Sequence, residues 1–165
     1  MGSTLTVDNI VGATTAASVK LPAGSVLQAQ SFDYSGSAFT SSSTSHVATP
    51  ITVTITPKYS SSKVLILCST NLRKTTTTTA YGIDLALYRA IGGASASNIR
   101  DRWQWTLNWN ESQQQWAHWM GHYLDSPSTT SSTVYTLYAK VDSSYGFNIG
   151  DSNSGGQMTA LEISV

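Results

Sequence analysis

Apolar and polar positions alternate with period two through much of the chain. Ile51, Val53 and Ile55 interleave with Thr52, Thr54 and Thr56, and Trp103, Trp105, Leu107 and Trp109 interleave with Arg102, Gln104, Thr106 and Asn108. Side chains two apart share one face of a strand, so each run predicts a half-buried strand. β-Branched and aromatic residues fill these runs, and Ser, Thr, Gly and Asp clusters separate them. The pattern predicts nine strands: Val26–Phe32, His46–Thr56, Lys63–Arg73, Tyr81–Ala90, Arg102–Trp109, Trp116–Leu124, Thr133–Val141, Tyr145–Ile149 and Met158–Val165. No stretch carries an apolar stripe of helical period. Short strands at this spacing predict an all-β fold, an antiparallel sandwich or barrel.

The pattern starts only at about residue 25. Residues 1–24 hold scattered apolar positions, Leu5, Val7, Ile10 and Val11, with no sustained period and a Pro-Ala-Gly stop. Such a segment cannot bury enough apolar area to offset its own ordering entropy. The expected organisation is therefore an extended attachment arm, 1–24, and one β-sandwich domain, 25–165. Those four apolar residues are the candidate contacts to a neighbouring subunit.

Composition limits the function classes. Charged residues make up 11% of the 165 positions, whereas 26 Ser and 22 Thr supply most of the polarity, so solubility rests on hydroxyls and amides. Nine Lys and Arg balance nine Asp and Glu with no segment rich in either sign. That leaves no basic footprint for nucleic acid or an anionic membrane surface. No apolar run approaches the ~18 residues of a membrane helix, and no signal sequence opens the chain. The one cysteine, Cys68, sits in the apolar run KVLILCS and reads as a small buried hydrophobe. Synthesis in a reducing cytoplasm is expected.

Candidate chemistry is sparse. GDSNSGG at 150–156 interrupts the GDSGG of trypsin-like proteases by two residues and reads as a turn. The same stretch from Asp151 to Glu162 approaches the spacing of a calcium loop, but position 5 is Gly155 and no flanking helix is predicted. His118 and His122 would pair on zinc only in a helix; four residues along a strand are about 13 Å apart. His46 lies in a Ser/Thr loop and reads as solvated. Asn110-Glu111-Ser112 is a glycosylation sequon in form only, without a secretory route. Asp101 and Glu111 are the acidic residues near the tryptophans, and nothing marks them as a catalytic pair. No metal, no cofactor and no enzymatic activity are expected.

All five tryptophans fall between residues 103 and 119, which makes that stretch the strongest candidate for an interaction. Trp103, Trp105, Trp109, Trp116 and Trp119 either fill the sandwich or a subunit interface, where aromatics dominate buried area, or present a platform for sugar rings. Arg102, with Arg100, Asp101 and Asn108, would supply hydrogen bonds to hydroxyls in the second case.

An ordered set of short blocks adds a family resemblance: LPAGSVLQ at 21–28, SSSKVLIL at 60–67, LALYR at 85–89, LDSPSTTSSTVYTL at 124–137 and MTALEI at 158–163. In these the chain resembles small all-β structural and fibre-tip proteins of tailed bacteriophages, especially those of cyanobacteria and other aquatic bacteria. The resemblance covers about half the chain and departs at 100–119, where relatives carry Gly/Ser-rich loops. It implies a jelly-roll-like antiparallel β-sandwich, usually a homotrimer, displayed on a virion and attached by its N-terminal segment. The family pattern starts near Met1 with no shaft ahead of it, which favours a capsid cement or decoration protein bound to the major capsid protein or other virion subunits. The alternative expectation is a tail-fibre or head-fibre tip that binds host surface polysaccharide through the Trp-rich hairpin.

Overall fold

The computed structural model describes residues 21–75, 82–105, 116–142, 145–150 and 155–165. Every regular element among them is a strand: β1 (Val26–Tyr34), β2 (Phe39–Ser41), β3 (Val47–Ile55), β4 (Lys63–Lys74), β5 (Ile83–Ile91), β6 (Ser97–Trp105), β7 (Trp116–Asp125), β8 (Thr133–Val141), β9 (Phe147–Ile149) and β10 (Gly156–Ile163). They form two antiparallel sheets packed as a sandwich. In the first, β4 pairs with β7 along one edge and with β10 and then β9 along the other; β1 follows β10, and β2 follows β9. The second sheet has the order β3-β8-β5-β6. The eight long strands thus give β1-β10-β4-β7 over β3-β8-β5-β6, with most successive strands crossing between sheets, the winding of a jelly roll.

The period-two pattern is what builds the core. On β4, Val64, Ile66, Cys68 and Leu72 point inward, and on β8, Tyr135, Leu137, Ala139 and Val141 do so from the opposite sheet. Ile51, Val53 and Ile55 of β3 and Ile83, Leu85 and Leu87 of β5 complete the layer. Burial in this layer pushes the Cys68 thiol far above its ordinary pKa.

Strand positions agree with the sequence reading for most elements, and Thr133–Val141 coincides in full. Two differences matter. β6 begins at Ser97, because Ser97-Asn98-Ile99-Arg100 pairs with β5 despite its polar composition. β2, only three residues long in a Ser-rich stretch, carries no periodic signal.

The antiparallel winding gives the sandwich two unlike ends. At the base, the described chain enters next to where it finishes: Gly24 N donates to Ser164 O at 2.8 Å and Ser164 N donates to Ser25 O at 2.9 Å. Buried Glu162 closes the same end, accepting from Lys58 N at 2.8 Å, Tyr59 N at 3.3 Å and Gln28 Nε2 at 2.6 Å. The top holds the ends of β4, β6 and β8 and the starts of β3, β5 and β7. There Val141 N donates to Ser43 O at 2.9 Å and Thr75 N to Gly146 O at 3.1 Å.

Candidate functional site

The Trp-rich stretch starts on an irregular strand. Between the pairs Leu85↔Gln104 and Leu87↔Arg100, β5 advances two residues while β6 advances four, so extra residues bulge out opposite Ala86. Arg102 in the bulge has φ 47°, a left-handed conformation uncommon for a residue with a side chain. A bulge of this kind turns side chains away from strict alternation. The unbroken parity expected from Arg102 to Trp109 therefore does not hold at its start.

Trp103 and Trp119 come together as a pair. β6 and β7 are edge strands of opposite sheets, and the two rings meet across the seam edge to face, 5.0 Å between centroids at 78°. Trp119 is only 6% exposed, and Trp103 Nε1 donates to His122 O on β7 at 3.1 Å. Aromatic pairs of this geometry add to the area they bury, so this pair closes the open side of the sandwich. Gly121 makes room for it: a Cβ there would lie 2.4 Å from Trp119 Cζ2 and 3.0 Å from Trp103 Cε2.

Trp116 behaves differently. It points outward from β7, 51% exposed, with the Arg73 guanidinium 4.9 Å from its ring centroid, a cation–π contact. Trp105 ends β6 opposite Asp84. Its side chain, and Trp109 entirely, lie outside the described residues, as do Leu5, Val7, Ile10 and Val11.

The outer face of the first sheet is apolar where β4 and β7 run side by side. Leu67 is 41%, Met120 74% and Leu124 50% exposed. A shallow depression between Leu67, Ser69, Met120, Gln157 and Thr159 lies on this face. His118 and His122 also point outward here, and His118 Nδ1 is 3.0 Å from Asn71 Oδ1.

The outer face of the second sheet carries a polar cluster near the top. Asp84 on β5 is 1% exposed although it points away from the core. His46, just ahead of β3, brings Nε2 to 3.8 Å from Asp84 Oδ2, and Lys140 of β8 brings Nζ to 3.4 Å. Tyr88 and Tyr138 stack beside them at 3.9 Å, and the His46 ring meets Tyr88 edge on. Asp101, carried on the β6 bulge, puts a carboxylate oxygen within 4.8 Å of both partners. His46 is thus packed in, its side chain 10% exposed, and not solvated as its Ser/Thr surroundings suggest. Burial holds its imidazole below the ordinary pKa, against the upward pull of Asp84.

Other sequence candidates resolve into structure. Glu162, the last position of the calcium-like spacing, is taken up by the base contacts described above. Residues 151–154 and Glu111 lie outside the described residues. Asp125 on β7 accepts from Arg89 Nη1 at 2.8 and 2.7 Å and from Tyr135 Oη at 2.7 Å, tying the two sheets together near the base. No helix among the described residues is long and apolar enough to cross a membrane.

No family model and no curated protein matches the sequence. Among solved structures, the chain is similar to one in the structure of infectious bursal disease virus Gx strain. The TM-score is 0.46 at 10% identity, and the match covers 82% of this chain and 32% of the viral one. It is also similar to the CBM22-1 xylan-binding domain from Paenibacillus barcinonensis Xyn10C. That TM-score is 0.36 at 12% identity, over 88% of this chain and 99% of that domain. The chain therefore has a weak structural likeness to a viral protein, about a third of which it spans, and to a carbohydrate-binding β-sandwich.

Proposed function

We propose that this protein is a non-enzymatic structural component of a bacteriophage virion, a homotrimeric cement or decoration protein that holds the capsid through residues 1–24. The observation that carries the reading is the separation of the two ends. The described chain enters the sandwich at the base, hydrogen-bonded to the final strand, whereas Trp105 and Trp116 bracket their connection at the top. Chain entry at one end and the ends of the Trp-rich connection at the other is a layout that suits a displayed subunit. The block resemblance in the sequence supplies the virion context.

Trimer contacts fall on the outer face of the first sheet in this reading. Leu67, Met120 and Leu124 leave an exposed apolar surface, and between Lys63 and Arg73 the outward residues of β4 are Leu65, Leu67, Ser69 and Asn71. A surface of this kind, short of charge and rich in Met and Leu, matches the core of a subunit interface, and the lack of charge lets it meet a copy of itself. Linking three arms on one particle would add modest contacts at high effective concentration.

Co-sedimentation tests the proposal. Full-length protein should pellet with undecorated capsids, and a chain lacking residues 1–20 should remain a folded trimer but stay in the supernatant. Binding that survives the deletion would remove the arm from the mechanism. A second reading, a polysaccharide-binding tip, is favoured by the exposed Trp116 ring with Arg73 beside it. Binding to host envelopes that soluble polysaccharide competes away, with no binding to capsids, would establish it in place of the first.

A further inference from the structure

Asp84 is unusual among the carboxylates of this protein. It is 1% exposed, yet neither of its oxygens receives a hydrogen bond. Among the described residues the other buried carboxylates are fully engaged, Asp125 by Arg89 and Tyr135 and Glu162 by two amides and a glutamine. An ionised carboxylate withdrawn from water without hydrogen bonds is costly, and native folds supply a partner. Lys140 offsets the charge only in part. Its Nζ stands 3.4 Å from Oδ2 without donating a hydrogen bond, and its side chain is 31% exposed, free to turn toward solvent.

The surroundings supply further donors of the right kind. His46 Nε2 is buried, makes no hydrogen bond and faces the same carboxylate at 3.8 Å. The other ring nitrogen, Nδ1, is 3.5 Å from Tyr88 Oη. With the proton on Nδ1 and directed to Tyr88, the Nε2 lone pair is left aimed at Asp84, the arrangement in which a ligating histidine is held by its second nitrogen. Asp101 comes from the β6 bulge, whose Arg102 is held at φ 47°. Asn98 Nδ2 donates to Asp101 Oδ1 at 3.1 Å, orienting that carboxylate. The three donor atoms lie within 4.8 Å of one another, and the exposed Asp101 side chain has the freedom to close the remaining distance.

We propose that His46, Asp84 and Asp101 form a binding site for a divalent first-row transition ion, Zn²⁺ foremost, which locks the segment ahead of β3 and the bulged β6 onto β5. One imidazole nitrogen and two carboxylates suit zinc, with bond lengths near 2.0–2.2 Å and a fourth position left for water. Calcium and magnesium favour all-oxygen shells of six or more. The ion would give Asp84 the partner it lacks, and Lys140 would turn outward. It would also fix the strand from which the chain leaves toward its Trp-rich connection, so the consequence is order at the top of the sandwich. The proposal stands apart from the virion reading and holds or fails without it.

Calorimetric titration of ZnCl₂ into the full-length chain, stripped with chelator and carrying no histidine tag, tests the site. We expect saturable binding of one ion per chain, a rise in melting temperature with Zn²⁺, and slower amide exchange across β6. Asp101→Asn and His46→Gln should each weaken binding by at least about tenfold. Asp101 is exposed, so its variant should melt like the parent without metal, which separates loss of the site from loss of the fold. His118→Ala and His122→Ala, on the opposite face of the sandwich, should bind as the parent does. No saturable binding below about 1 mM, undiminished binding in both site variants, abolition by either outer-face histidine variant, or equal affinity for Ca²⁺ would overturn the proposal.

Discussion

Replacing Asp125 with alanine should cost the fold heavily, because it removes a buried tie between the two sheets near the base. Asp125 sits at the end of β7 with its side chain 7% exposed and accepts from two residues of the opposite sheet. Its removal strands the guanidinium of Arg89, whose side chain is 21% exposed, and the hydroxyl of Tyr135, which lies in the core. Breaking a buried ion pair by deleting one partner costs about 3–5 kcal/mol. The residual exposure of Arg89 lets water reach it, which places the expected loss near the lower limit, about 3 kcal/mol. Tyr135→Phe removes one hydrogen bond to a charged acceptor while leaving Arg89 in place, so about 1.5 kcal/mol is expected. For a chain of this length those losses correspond to melting-temperature drops of about 6–12 °C and about 3–6 °C.

Equilibrium urea unfolding at fixed protein concentration, followed by tryptophan fluorescence, measures both. The slope against urea should stay constant, so that midpoint shifts report stability and not a change in the unfolded ensemble. Fixed concentration matters because subunit association would add to apparent stability. Asp33→Ala is the matched control: its carboxylate accepts from Gln157 on an exposed surface, and its loss should fall within about 0.5 kcal/mol. The two variants should also be non-additive, since Asp125→Ala has already removed the acceptor of Tyr135. A loss under about 1 kcal/mol for Asp125→Ala would refute the view that this triad joins the sheets.

The tryptophans should separate into two classes. Trp119→Ala should destabilise the fold by about 3–5 kcal/mol, whereas Trp116→Ala should leave unfolding midpoints nearly unchanged, both read by urea titration. Gly121→Ala should cost about 1–3 kcal/mol by overpacking, with altered near-UV circular dichroism from the displaced Trp103–Trp119 pair. Cys68, buried with its thiol pKa raised by desolvation, should resist alkylation by iodoacetamide at pH 8 in the folded protein and react only on denaturation. If the proposed trimer forms, Met120→Lys should convert it to monomers in light scattering without lowering monomer stability; an intact trimer would move the subunit contact elsewhere.

Legibility in the sequence followed period. Runs such as Ile51–Thr56 and Thr133–Val141 announce strand, face and core together, because one face is apolar throughout. The bulge in β6 was hidden for the converse reason. Arg102 belongs to an apparently unbroken alternation, and only pairing with β5 reveals the extra residues. The His46, Asp84 and Asp101 cluster was illegible as a set, since its members lie on three segments that the jelly-roll winding brings to one face. A signal did exist within Ile83-Asp84-Leu85-Ala86-Leu87, where a carboxylate interrupts an apolar run, and again at Glu162 within Leu161-Glu162-Ile163. In each case a charge placed where the pattern favours none marks a buried carboxylate that needs partners. Composition could not name those partners.

The placement of these carboxylates bears on how such a subunit would work. Glu162 and Asp125 hold the base with charge-assisted hydrogen bonds, each of which joins separate segments. Such bonds are roughly twice as strong as neutral ones, so force applied through the chain entry at Leu21–Ser25 would reach the best-tied part of the sandwich. At the top, Lys140 pairs with Asp84 at 3.4 Å. The Trp103–Trp119 pair seals the seam by packing, and Asp84 stays without a hydrogen bond beneath a bulged edge strand. Trp105 and Trp116, which flank the connection, lie at the opposite end of the sandwich from Glu162 and Asp125, where change would break the ties of the base. Attachment and recognition would be able to vary independently to the extent that the hydrogen bonds of Glu162 and Asp125 are confined to the base.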